Sequence, residues 1–83
     1  MKIEVCGPGC WRCHATRDNV LKALQELGLK EGKDATVTMI NDFKVMATKG
    51  VMFTPALFID GVKVVEGGIP TTEEIKQWIK EKA

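Results

Sequence analysis

Residues able to do chemistry concentrate in one stretch, Cys10-Trp11-Arg12-Cys13-His14, which follows directly on Gly7-Pro8-Gly9. Two thiols three residues apart can open and close a disulfide, bind a metal ion or carry a covalently attached haem. Both cysteines fall where a short β-prone run and a glycine loop meet the start of a helical pattern. The first turn of a helix has unpaired N–H groups and the positive end of the macrodipole. A thiolate there is stabilised, and its pKa falls from about 8.5 towards neutrality. Cys13 is nearly one turn further on and on the same side, so its sulfur can reach Cys10. Cys10 is expected to be the exposed nucleophile. Cys13, on the inward stripe, is expected to resolve a mixed disulfide. Arg12 adds positive charge beside the pair.

Other readings of the same residues stand beside this one. Cys is among the most buried residue types, so Cys13 alone fits a core position, but a pair three apart after Gly-Pro-Gly is hard to explain as packing. Cys-x-x-Cys-His also matches the attachment motif of a c-type haem, with Met39, Met46 or Met52 available as a second ligand. The β-rich second half of the chain speaks against a small helical haem protein. Zinc could draw on Cys6, Cys10, Cys13 and His14. Adjacent residues on a helix diverge by about 100°, however, and structural zinc sites normally use two separated pairs. His14 is expected to face solvent.

The elements that must position these residues alternate along the chain. Lys2 to Cys6 reads as a strand with Ile3 and Val5 on one face and Glu4 and Cys6 on the other. From Cys10 to Leu27 the residues Cys13, Val20, Leu21, Leu24 and Leu27 recur at helical spacing, and Gly28 sits at a C-cap position. Ala35 to Ile40 reads as a second strand. Asn41 or Asp42 can cap a short helix that carries Phe43, Met46 and Ala47 inward and stops at Gly50. Pro55 to Ile59 and Val62 to Val65 are strand runs joined by Asp60-Gly61, a strong hairpin signal. Thr71 and Glu74 have capping-box spacing ahead of the stripe Ile75, Trp78, Ile79, and Lys80 and Lys82 lie at the negative end of the dipole. The order is β-α-β-α-β-β-α. A helix joins the first two strands, which should be parallel with a right-handed crossover, and the last two should form an antiparallel hairpin.

Composition narrows the function. The 83 residues leave room for a single domain, residues 1–83. A net charge of +1 gives no support for a nucleic-acid binder. No apolar run approaches the ~18 residues of a membrane span. Three cysteines, an odd number, argue against a disulfide-stapled secreted scaffold. Glu4 stands where a signal peptide would begin its apolar stretch, so the expected location is the cytoplasm.

Cys10-Trp11-Arg12-Cys13 at a strand–helix junction, Thr54-Pro55 opening the third strand and Gly67-Gly68 after the fourth together resemble the thioredoxin fold over essentially the whole chain. The length and the approach Val5-Cys6-Gly7-Pro8-Gly9-Cys10 are similar to the small archaeal and bacterial thioredoxin/glutaredoxin-like redox-active disulfide proteins. The resemblance implies an α/β thioredoxin fold with a four-stranded mixed sheet flanked by helices. It implies a thiol–disulfide oxidoreductase with Cys10 and Cys13 as the catalytic pair and with no cofactor and no metal. It also implies a cis proline at Pro55 facing the disulfide, which leaves the Thr54 backbone free to pair with an extended substrate. Trp11, Arg12, Thr54, Pro55 and Gly67 are then the expected substrate-binding residues. The implied partners are disulfide-containing proteins and an electron donor, either a thioredoxin-reductase-type enzyme or a thiol, with the chain itself a monomer. A thioredoxin-fold binding module that uses its cysteines for zinc or docking, without turnover, is the alternative.

Glu4 matches the place of a buried acid that relays protons to the second cysteine, although a partly exposed strand glutamate is the plainer expectation. The chain also departs from the pattern. Trp11-Arg12 replaces the Gly-Pro of thioredoxins and the Pro-Tyr or Pro-Phe of glutaredoxins. Ile69-Pro70-Thr71-Thr72 replaces the acidic pair that follows the glutathione-contact glycines, which leaves Gly67-Gly68 as a bulge and turn. Cys6 is expected to be an inert thiol at the end of a strand.

Overall fold

The structure, a computed structural model, describes residues 1–82. Strand β1 (Lys2–Cys6) leads through a loop into helix α1 (Trp11–Glu26), followed by β2 (Thr36–Ile40) and the short helix α2 (Phe43–Thr48). The hairpin β3 (Ala56–Ile59) and β4 (Val62–Glu66) precedes the last helix, α3 (Thr72–Lys82). The strands form one sheet in the order β2-β1-β3-β4. β1 pairs parallel with β2 and antiparallel with β3, and β3 pairs antiparallel with β4. This is the α/β mixed sheet of the thioredoxin fold, with the element order read from the chain.

The period-2 pattern of β1 decides how the layers form. Ile3 and Val5 point to one face, where they join Leu57 and Ile59 of β3, Val20 and Leu24 of α1, and Ile75 and Ile79 of α3. Cys6 points to the other face and packs with Met46, Ala56 and Phe58. Helices α1 and α3 therefore cover one side of the sheet and α2 the other. Lys76 of α3 reaches Glu26, the last residue of α1, at 2.8 Å, and Asn19 in the middle of α1 donates at 2.9 Å to the carbonyl of Pro70, just ahead of α3.

The turn chemistry is as the sequence suggests. Asp60 (φ 50°) and Gly61 (φ 82°) both take positive φ in the β3–β4 hairpin. At the end of α1, Gly28 (φ 74°) donates to Gln25 and Leu29 donates to Leu24, a Schellman closure. The capping box of α3 is closed in both directions: the Thr71 N–H donates to Glu74 Oε1 at 3.0 Å, and the Glu74 N–H donates to Thr71 Oγ1 at 3.1 Å.

Some expectations are corrected. Phe43 is 71% exposed and Ala47 is exposed as well; of the three residues expected to face inward from α2, only Met46 is buried. A helix of six residues has fewer than two turns and turns only one position onto the sheet. Its cap is Asp42, which accepts from the Lys44 N–H. The irregularity in the hairpin lies not at Gly67 but between Leu57 and Phe58, which pair with Val65 and Lys63 and leave Val64 as the extra residue. In α1 the buried face takes Thr16 and Ala23, while Leu21 and Leu27 are half-buried. Thr16 tolerates full burial because its hydroxyl donates to the Arg12 carbonyl at 2.9 Å. The second strand begins at Thr36 and the third at Ala56, each one residue later than the pattern suggests.

The capping box generates a stability prediction. Thr71→Ala removes one acceptor at the start of α3 and should lower stability by about 1 kcal/mol. Urea unfolding should show a lower midpoint with an unchanged slope, because the buried stripe of α3 remains in place.

Candidate active site

The site is built where β1 hands the chain to α1. Cys6 ends the strand, and the Gly7 N–H donates to the Ile40 carbonyl at 2.8 Å, which carries the β1–β2 ladder one residue further. A side chain at Gly7 is impossible on steric grounds: a Cβ built there would overlap the Cys13 sulfur and lie 3.7 Å from the Thr54 Cβ. Gly7, Cys13 and Thr54 therefore meet at one point. Sequence reasoning took Gly7 only as a loop residue; the signal available was a glycine immediately after a strand and just ahead of a thiol pair.

Cys10 is the N-cap of α1, with extended backbone (φ −72°, ψ 172°), and its thiol is exposed. Cys13 is fully buried on the inner side of the first turn. The two sulfurs are 3.3 Å apart, and both are free thiols. A disulfide needs ~2.05 Å between sulfurs, so closure requires an approach of only about 1.2–1.3 Å. The pair is electrostatically unequal. The Cys13 N–H lowers the Cys10 pKa most, followed by a hydrogen bond from the Cys13 thiol, with the Arg12 N–H and the Arg12 charge adding to the effect. No conventional capping hydrogen bond closes on the Cys10 sulfur; the amides act by presenting their positive ends to the charge that forms there. Cys13 moves the other way, raised first by burial and then by the bond it gives to Cys10. Cys10 is accordingly the thiol of the pair that ionises more readily, and Cys13 the one that holds its proton more tightly.

A second segment comes in from the far side of the sheet. The Thr54–Pro55 peptide bond is cis. The Thr54 carbonyl accepts from an Arg12 guanidinium nitrogen at 3.3 Å, which joins the segment directly to the first turn of α1. Pro55 is buried, and its carbonyl accepts the Gly67 N–H at 2.9 Å. Trp11 is 73% exposed beside Cys10, and Met52 and Phe53 project from the segment before Thr54 as further exposed apolar side chains. Gly67 has positive φ (82°) and abuts Phe53, where a Cβ would come within 3.2 Å of the Phe53 Cβ. The structure thus gathers Cys10, Cys13, Arg12, Thr54 and Gly7 directly, with Trp11, Pro55 and Gly67 around them.

Glu4 lies apart from this gathering and differs from the plain expectation. It is not a partly exposed strand residue but only 5% exposed. Lys49, just past α2, places Nζ 3.2 Å from Glu4 Oε1 and 5.2 Å from the centre of the Phe58 ring, and Lys2 approaches the carboxylate at 3.9 Å. Lys49 was not legible as a partner because the two residues are 45 positions apart. Cys6 shares this face. Burial pushes its thiol pKa up, with the Lys49 charge opposing and the Glu4 charge reinforcing. His14 is exposed. Among the described residues no group of three or more His, Cys, Asp or Glu side chains is arranged to hold a metal ion, and no helix is long and apolar enough to cross a membrane.

Comparison with known proteins adds independent findings. Residues 1–80 match the family model described as "Thioredoxin domain". The chain is 41% identical over 78 residues to a thioredoxin of Methanocaldococcus jannaschii, covering 94% of this chain and 85% of that protein. It is 32% identical over 77 residues to a thioredoxin of Methanothermobacter thermautotrophicus, covering 93% and 95%. A family match along nearly the full length, and two similar proteins matched over most of theirs, agree with the element order read from the chain and the mixed four-stranded sheet it forms: the chain belongs to the thioredoxin family of thiol–disulfide redox proteins.

Proposed function

We propose that the protein reduces disulfides in protein or small-molecule substrates through Cys10 and Cys13. The observation that carries this reading is the unequal pair itself: an exposed sulfur with a lowered pKa 3.3 Å from a buried sulfur with a raised one. The Cys10 thiolate attacks one sulfur of the substrate disulfide, and the other substrate sulfur leaves as a thiolate. Cys13 then loses its proton and attacks the Cys10 sulfur. The second substrate thiolate is released, and two electrons have passed from the protein to the substrate. The internal disulfide left behind is returned to the dithiol by a thioredoxin-reductase-type enzyme or a low-molecular-weight thiol.

Substrate is read as lying across Trp11, Arg12, Thr54, Pro55 and Gly67, with an extended chain laid along the Thr54 backbone. Cys6, buried and with its thiol pushed up, takes no part. Glu4 stands on the α2 face of the sheet, held there by Lys49 and apart from the thiol pair; its reading as the proton relay of the exchange comes from the resemblance of its place in the chain. The working form is read as a cytoplasmic monomer.

Three measurements test this reading. With dithiothreitol as donor, the protein should accelerate insulin reduction and precipitation. Cys10→Ser should abolish the effect, and Cys13→Ser should accumulate a mixed disulfide. No acceleration from protein that carries stoichiometric zinc would favour a binding module instead. Alkylation of the reduced protein should follow the thiolate fraction of Cys10. Its rate should rise with pH and level off below the ordinary thiol range, because the Cys10 pKa is lowered. Cys13 and Cys6, with raised values, should stay unmodified over that window. Glu4→Gln should shift the pH profile of disulfide reduction, and a superimposable profile would leave Glu4 only as the buried partner of Lys49.

A further inference from the structure

The chain between α2 and β3 has neither helix nor strand structure. Met52 and Phe53 in this strap are 81% and 65% exposed, so their side chains do not anchor it. Yet the strap carries Thr54 to the thiol pair; Arg12 and buried Pro55 fix its far end, and the Met52–Phe53 stretch ahead of them requires a hold of its own.

That hold is Glu66, the last residue of β4. Its Oε2 accepts the backbone N–H groups of both Met52 and Phe53, the latter at 3.1 Å. Lys63 closes the other side: its Nζ donates to Glu66 Oε1 at 3.0 Å and to the Gly50 carbonyl at 3.2 Å. The next residue, Gly67, has no Cβ, and this lets Phe53 lie against the backbone. Glu66 is itself fixed by its pairing with Ala56 across the β3–β4 ladder. One carboxylate thus replaces, for two consecutive amides, the ladder that the strap lacks, and such charge-assisted bonds are stronger than neutral ones. The same bonds, the Met52 and Phe53 amides first and then Lys63, hold the Glu66 pKa down at about 2, so the carboxylate stays charged at any ordinary pH.

Building on the exchange reaction above, we propose that Glu66 is a positioning residue that sets the Met52–Thr54 strap for extended protein substrates, while small disulfides react at Cys10 without it. The division follows from what each substrate needs. A small disulfide needs only the exposed Cys10 sulfur. An extended chain must also lie along the backbone that leads into Thr54, and the Met52–Phe53 part of that backbone is held in place by Glu66. The clamp acts through main-chain amides and touches neither sulfur.

The test compares two substrates on the same variants. Glu66→Ala should lower kcat/KM for insulin by about tenfold, mainly through KM, because a held ground-state contact is lost. The rate at which Cys10 reacts with a small aromatic disulfide should stay within about twofold, as should the pH profile of that reaction. Glu66→Gln keeps an acceptor oxygen and should recover most of the insulin activity. Should Glu66→Ala fold poorly, Lys63→Met serves in its place; it leaves both amide bonds but removes the link to Gly50, and it should raise the insulin KM by a smaller factor. Equal losses on both substrates, or an unchanged insulin KM in every variant, would overturn the inference. Wild-type protein without insulin turnover would overturn the underlying exchange reading, a result separable from the first because it needs no variant.

Discussion

Cys6 pairs with Ala56, and the site depends on that register. The antiparallel ladder of β1 and β3 ends at this pair. One residue beyond it on β1 is Gly7, and on β3 the chain runs back through Pro55 to Thr54. Two segments more than 40 residues apart in sequence are thereby brought against the start of α1. A slip of one residue would turn Ile3 and Val5 to the wrong face and would also carry Thr54 away from Arg12. The core and the site are specified by the same pairing. The apolar side chains that fill one face of the sheet supply the free energy, and the reactive end of the molecule comes with it.

Given that register, the inequality of the two thiols needs little further machinery. Cys10 sits outside the first turn, where N–H groups are unpaired and Arg12 is near. Cys13, three residues on, has turned inward against Gly7 and is cut off from water. Three positions of helix thus separate the end of a dipole from the interior. The missing side chain at Gly7 matters too, because any Cβ there would overlap the Cys13 sulfur and force one of the two to shift. On the opposite face of the sheet a second polar arrangement accommodates Glu4. Its burial is tolerable only with a charge partner, and Lys49 supplies one while its ammonium sits over the Phe58 ring.

Much of this was legible in the chain. Element order, the Asp60-Gly61 hairpin, the Thr71–Glu74 box and the Gly28 closure rest on local geometry, and local geometry is encoded within a few residues. So is the exposure of Cys10 and the inward turn of Cys13, which follow from their places at the head of a helical pattern. Less legible were Phe43 and Ala47, whose helix is too short for its periodicity to mean much. The burial of Glu4 was also hidden, because strand alternation names a face without saying what covers it. Lys49 and Glu66 gave no signal of their long-range contacts: Glu4 lies 45 positions from Lys49, and the Met52 and Phe53 amides lie 14 and 13 positions from Glu66, and a charged residue in a sequence does not announce which distant group it will meet.

By itself, then, the sequence determined the thiol pair, its place at the head of a helix and the elements that carry it, since each is a matter of spacing within a turn or a strand. Only the tertiary structure decided which backbone stands opposite the pair, what keeps Cys13 covered and which residues hold the strap at Thr54. Those are meetings between β1, β3 and β4, set by sheet register and by burial, and neither is contained in any short window of the chain.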